Sequence, residues 1–112
     1  MAGKFRINKS RNGKHHFNLV ARNGQVILTS EMYETKSAAE NGIKSVKKNA
    51  GTASRFERRK ARNGKKYFVL KAGNGQEIGK SQMYKSTDGM ENGIKSVTTN
   101  APGATIVDTT SA

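Results

Sequence analysis

The sequence predicts an α+β fold: two tandem β-β-β-α-β repeats forming one pseudo-twofold domain, with a shared antiparallel sheet, exchanged trailing strands and two covering helices. Three observations predict it. Residue i matches residue i + 51 without a gap, giving 25 identities in the 48 positions that align Gly3–Ala50 with Ser54–Ala101. One period marks a duplication, not a solenoid. Within each copy the hydrophobic period is 2 over three segments and 3.6 over a fourth. Finally, 112 residues that are 33% hydrophobic and lack Trp, at a mean hydropathy of -0.78, suffice for one thin core of a sheet under a helix layer. A deep ligand cavity is not expected, and each copy alone would be marginal.

The elements follow in order. From Lys4 to Lys9 the chain alternates, with Phe5 and Ile7 on one face and Lys4 and Arg6 on the other, as a half-buried strand requires. Asn12-Gly13 predicts a tight type I′ turn into a second strand, His15 to Ala21, with Phe17, Leu19 and Ala21 inward. Asn23-Gly24 turns the chain again into a third strand, Gln25 to Ser30, with Ile27 inward. Copy two repeats the meander with Phe68, Leu70, Ala72, Asn74-Gly75 and Ile78.

Ala39, Ile43 and Val46, matched by Met90, Ile94 and Val97, then form the single apolar stripe of a helix. Ser37 with Glu40, and Asp88 with Glu91, have the spacing of capping boxes at the helix starts. Gly42 and Gly93 each cost the helix ~1 kcal/mol relative to Ala. Their presence in both copies predicts close packing of the helix backbone against the sheet or the twin helix. Ala53 to Lys60 reads as a strand that trails copy one and leads copy two, with Ala104 to Asp108 its counterpart after the second helix. The domain is therefore single, with repeats over about residues 3–53 and 54–108 and a tail, 109–112, that should fray.

Composition excludes several function classes. With no cysteine there is no disulfide, thiolate zinc site or Cys nucleophile. No apolar run approaches the roughly 18 residues of a transmembrane helix, and the first ten residues lack a signal peptide's apolar stretch. A cytoplasmic protein with no membrane association is expected. Residues 1–50 carry ten Lys or Arg against three acids and residues 51–103 eleven against four, so both copies share equally in a net charge of +13. Such a field attracts nucleic acid or acidic surfaces and also serves solubility.

The repeated signature is an Asn-Gly hairpin, then Ser30-Glu31-Met32-Tyr33 and Asn41-Gly42-Ile43-Lys44-Ser45-Val46, with Ser81-Gln82-Met83-Tyr84 and Asn92 to Val97 in copy two. Over nearly the whole chain it resembles the YegP-like family of small bacterial proteins. That resemblance implies two β-β-β-α-β units merged into one sheet with trailing strands exchanged, and single-repeat members that pair as homodimers. It implies no activity and offers no catalytic residues to carry over. Ile7 becomes Arg58 and Ala38 becomes Gly89, so the halves are chemically unequal.

No catalytic, cofactor or metal constellation stands out. His15 and His16 lie on opposite strand faces without further ligands. Gly73-Asn74-Gly75 lacks the helix N-terminus that a phosphate loop needs. Glu40 and Glu91 are assigned to capping, and Ser30, Tyr33, Ser81 and Tyr84 to packing and turns, since no His or Lys is placed to activate a serine. The basic hairpins remain. Lys4, Arg6, Lys9, Arg11 and Lys14, with Arg55, Arg58, Arg59, Lys60, Arg62, Lys65 and Lys66, hold 12 of the 21 cations. If the hairpins adjoin, Lys4, Arg6, Arg11, Lys14, Arg55, Arg58, Arg59, Arg62, Lys65 and Lys66 form one surface for a phosphate backbone or an acidic partner, with Tyr67 and His16 as stacking groups. The chain is read as a monomeric, non-enzymatic binding module whose repeats form an intramolecular pseudo-dimer. Weak, sequence-tolerant nucleic-acid binding is the leading function, and a scaffold docking acidic proteins the alternative.

Overall fold

A computed structural model describes residues 3–108; residues 109–112, the expected frayed tail, lie outside the described residues. Strands β1 (Lys4–Lys9), β2 (His15–Val20) and β3 (Val26–Ser30) precede helix α1 (Lys36–Asn49). A 3-10 turn, Ala53–Arg55, leads into β4 (Phe56–Lys60), β5 (Lys66–Lys71) and β6 (Glu77–Lys80), followed by α2 (Thr87–Asn100) and β7 (Thr105–Asp108). The predicted strand at Ala53 to Lys60 therefore begins three residues later. All seven strands form one sheet in the order β4-β5-β6-β3-β2-β1-β7.

Thr29 and Lys80, equivalent positions, face each other across the β3–β6 seam, so the pseudo-twofold axis passes between them. Neighbours are antiparallel except β7, which runs parallel to β1. The sheet is thus mixed where it was expected to be antiparallel throughout. The reason is directional: β7 begins at the end of the sheet where β6 stops, and β1 runs opposite to β6. The trailing strands are exchanged: β7 ends copy two but pairs with copy one, and the segment trailing copy one becomes β4 in the other half.

The turns and caps depart from expectation in two ways. Gly13, Gly24, Gly64 and Gly75 have φ of +82° to +87°, and among the described residues no other residue type has positive φ. The hairpins therefore use a type I turn followed by a left-handed glycine, with the Ser10 N–H donating to the Lys14 carbonyl and the Gly13 N–H to the Ser10 carbonyl. A type I′ turn would need the asparagines left-handed too. The helices are capped by Thr35, whose Oγ1 accepts the Ala38 N–H at 3.0 Å, and by Ser86, which accepts the Gly89 N–H at 3.0 Å. The expected capping boxes at Ser37 and Asp88 lie two residues too late. Tyr33 and Tyr84 are each tied by two backbone hydrogen bonds to the partner strand, at His15 and Lys66, and one spacer residue later the chain turns into the helix.

The core lies between the helices and one face of the sheet, where Phe5, Phe17, Leu19, Ile43 and Val46 and their counterparts Phe56, Phe68, Leu70, Ile94 and Val97 are buried. Tyr33 stacks on Phe17 at 6.2 Å and Tyr84 on Phe68 at 6.3 Å. These pairs explain the helix glycines. A Cβ on Gly42 would meet the Tyr33 hydroxyl and would stand 2.9 Å from the Phe17 ring. Gly42→Ala gains ~1 kcal/mol of helix propensity but incurs about 1–3 kcal/mol of overpacking. We expect a net loss of about 1 kcal/mol, read as a fall of about 4–8 °C in the melting midpoint. Adding Tyr33→Phe should recover part of it, and an unchanged midpoint in Gly42→Ala would contradict the packing.

Candidate nucleic-acid interface

The topology separates the cations that the sequence suggested might adjoin. β6 and β3 stand between the β1–β2 and β4–β5 hairpins, and the alternation of strand direction puts the two hairpin turns at opposite ends of the sheet. The condition for a single broad surface is not met. There are instead two basic tips at diagonal corners, Arg11 and Lys14 with Lys9 on one, Arg62 and Lys65 with Lys60 on the other.

The remaining candidates divide among other places. Lys4, Arg6, Arg59 and Tyr67 alternate onto the face of the sheet away from the helices, together with His16 and Lys80. Lys66 lies in β5 beside Tyr84. Arg55 reaches back under α1, where its Nε donates to Asn49 Oδ1 at 3.1 Å, a structural task. Arg58, at the position of Ile7, turns to the helix side and clamps Glu91 of α2, with Nη2 to Oε1 at 2.8 Å and Nε to Oε2. The hydrogen bond from Arg58 holds the Glu91 carboxyl below the usual carboxylate range. The Glu91 side chain, expected to cap, is engaged in this pair.

Arg59 is likewise neutralised, donating to Glu77 at 2.8 Å and to Glu57. Lys71 donates to Glu57 at 2.6 Å and, with Arg59, lowers the Glu57 pKa. A depressed carboxylate stabilises the fold above its unfolded pKa, near 4.3, and that contribution disappears as pH falls through the lower folded value. Both networks are therefore intact at neutral pH. The helix-free face of copy two is a closed ion-pair network, and copy one instead carries an amide ladder, Asn8 to Asn18 at 2.8 Å and Asn18 to Thr29 at 3.0 Å.

Comparing the copies sorts these surfaces. On the helix-free face the equivalent pairs Arg6/Glu57, Asn8/Arg59, His16/Tyr67, Asn18/Val69, Val20/Lys71, Val26/Glu77 and Thr29/Lys80 differ in every case. At the tips the run Lys-x-Arg-Asn-Gly-Lys is kept, as Lys9 to Lys14 and Lys60 to Lys65. Lys14 has one weak partner, Glu34 at 3.4 Å and mostly exposed. Among the described residues none of Arg11, Lys60, Arg62 and Lys65 enters an ion pair. Lys9 and Lys60, not among the candidate contacts, belong to the tips; the shared motif was the signal.

The polar groups near the helices are already occupied. Ser30 and Ser81 hydroxyls accept from Phe17 and Phe68 N–H and donate to the Glu31 and Gln82 carbonyls. Burial, then the charge of Glu31, pushes the Tyr33 phenol above its ordinary pKa, so it stays protonated near neutrality. Two shallow grooves related by the pseudo-twofold, of about 190 and 220 Å³, lie beside Tyr33, Asn41 and Gln76 and beside Tyr84, Asn92 and Gln25. Sequence reading placed Asn41 and Asn92 in the repeated signature but gave none of these amides a part in a site. No group of three His, Cys, Asp or Glu gathers among the described residues.

A family model described as a domain of unknown function, DUF1508, matches twice, over residues 10–57 and 61–108. The chain belongs to the DUF1508 family. Each match spans two strands and a helix of one half of the sheet and runs on into the strand given to the other half, the start of β4 in the first match and β7 in the second. The UPF0339 protein of Pseudomonas aeruginosa is 49% identical over 108 residues, 96% of this chain and 98% of that protein. The UPF0339 protein of Shewanella oneidensis is 51% identical over 110 residues, 98% of this chain and all of its own. A solution NMR structure of yegP from E. coli, titled a protein of unknown function, superposes with a TM-score of 0.94 at 47% identity, covering 100% of this chain and 97% of that one. A second NMR structure, of a Shewanella oneidensis UPF0339 protein, gives 0.91 at 51% identity, covering 96% and 92%. The expected YegP-like membership holds, and the DUF1508 description names no activity. Among the described residues no helix is long and apolar enough to cross a membrane.

Proposed function

We propose that this DUF1508 protein is a non-enzymatic, cytoplasmic binding module that grips phosphate backbones of nucleic acid through two equivalent basic hairpin tips. The observation that carries the reading is the same three cations at the same hairpin positions in both copies, Lys9, Arg11 and Lys14 and Lys60, Arg62 and Lys65, while the helix-free face diverged at every position compared. A phosphate chain demands charge at roughly fixed spacing and no base-edge contacts, so recognition is sequence-tolerant. The serine hydroxyls, occupied by backbone partners, support a module without catalytic chemistry.

The test is titration of labelled single- and double-stranded oligonucleotides at ~50 and ~200 mM salt, where counterion release weakens electrostatic binding steeply. Three variants are needed: Lys9→Ala/Arg11→Ala/Lys14→Ala, Lys60→Ala/Arg62→Ala/Lys65→Ala, and the two combined. Each triple should weaken binding and flatten the logarithmic salt slope by ~0.7 per cation removed on single strands, and the combination should abolish binding. No binding by the unaltered protein at ~50 mM salt, or full binding by the combined variant, would refute the reading.

A further inference from the structure

The pseudo-twofold is broken at one place. β1 is covered on its outer side by β7, in the parallel register Lys4↔Thr105, Phe5↔Ile106, Arg6↔Val107 and Ile7↔Asp108. Its equivalent β4 has β5 on one side, and among the described residues no strand pairs with the other. An edge strand leaves alternate backbone N–H and C=O groups turned outward without ladder partners. The chain thus demonstrates on β1 how an added strand sits, and presents the same edge, empty, on β4.

The register on β1 also says what would fit. Moved by 51 residues, the position of Ile106 falls opposite Phe56 and that of Asp108 opposite Arg58. On β1 the acid turns to the helix side and pairs with Lys36 at the start of α1. On β4 the helix-side cation is Arg58 itself, now held by Glu91, and Lys60 is exposed on the same strand. The 3-10 turn Ala53–Arg55 bounds the slot at its leading end, so about four residues can pair.

From these we infer that the outer edge of β4, Phe56–Lys60, docks an extended acidic segment of another protein, laid parallel to β4 with an apolar residue beside Phe56 and a carboxylate at Arg58. Backbone hydrogen bonds would supply affinity, and the two side-chain positions specificity. Cations along this edge disfavour pairing of β4 with a second basic copy and favour an acidic strand. The site is separate from the tip formed by Lys9, Arg11 and Lys14, and it borders the other tip, with which it shares Lys60.

The probe is a labelled heptapeptide with the β7 sequence, Ala-Thr-Ile-Val-Asp-Thr-Thr, titrated into the full chain while backbone amides are followed by NMR. We expect shifts confined to Phe56–Lys60 and the adjoining start of α2. A peptide with asparagine for aspartate should bind about tenfold more weakly, the scale of one charge-assisted hydrogen bond. Methylating alternate backbone nitrogens, which keeps the charge, should abolish binding. Glu91→Gln, which releases Arg58, should tighten the parent peptide several-fold and leave the asparagine peptide unaffected. Equal binding of the methylated peptide would overturn the proposal in favour of bare charge attraction. Concentration-dependent shifts at β4 without peptide would overturn it in favour of a second copy. Because the readout is local to β4, it stands or falls independently of oligonucleotide binding.

Discussion

Replacing Gly79 with leucine should unfold the seam between the two halves, and replacing Leu28 with glycine at the same time should cost less than the sum of the two single changes. The two residues are equivalent by the 51-residue offset but cannot both bear large side chains. Leu28 is fully buried on the helix side of β3, close to the axis. A Cβ at Gly79 would stand 2.8 Å from the Thr29 carbonyl oxygen, 3.2 Å from Leu28 Cγ and 3.3 Å from Ser30 Cα. One leucine fills the space that the axis offers to both copies. Gly79→Leu alone should cost about 3 kcal/mol or more, since two of the three obstacles are backbone. Leu28→Gly alone leaves a cavity and a floppier strand, about 3–5 kcal/mol. In the double variant the leucine approaches the axis from β6 and finds the glycine on β3, so the two costs should fall short of additivity by about 1–3 kcal/mol. Urea unfolding of the four proteins measures this. Strict additivity would mean that the two residues do not share one space.

Residues 3–53 alone should not fold as a monomer. Cutting there exposes the outer side of β3, which pairs with β6, and strips β7 from β1. It also removes the contacts of α1 with β5 and β6 and of α2 with β3. What remains is a three-stranded meander under one helix, too small a core to offset chain entropy. The half-chain should be unfolded, or should dimerise by rebuilding the seam with a second β3. Sedimentation and amide dispersion separate the outcomes, and a well-dispersed monomer would contradict this account.

The repeat, the strand and helix order and nearly all core positions were legible, because period 2 and period 3.6 report directly which side chains face the helix layer. Phe5, Phe17, Leu19, Ile43 and Val46 needed no more than that. The caps were misplaced because Ser37 and Asp88 carry the right spacing. The deciding fact, the tie of Tyr33 to His15 and of Tyr84 to Lys66, is a tertiary contact. The parallel course of β7 was likewise invisible, since local periodicity says nothing of direction. For the site, the sequence located the cations but not their neutralisation. Arg58 and Glu91 are 33 residues apart, and only the packing of α2 over β4 joins them. The candidate surface shifts for that reason from one joined face to the paired tips.

The pairing of β7 with β1 has a consequence for how the protein is made. Thr105 meets Lys4, so the seventh strand of the sheet completes a strand made about a hundred residues earlier. During translation the nascent meander waits with the outer side of β1 uncovered until β7 has been made. A ribosome that stops short of β7 releases a chain with two bare strand edges, prone to cross-pairing. Synthesis through β7 therefore leaves the edge of β1 covered and that of β4 open.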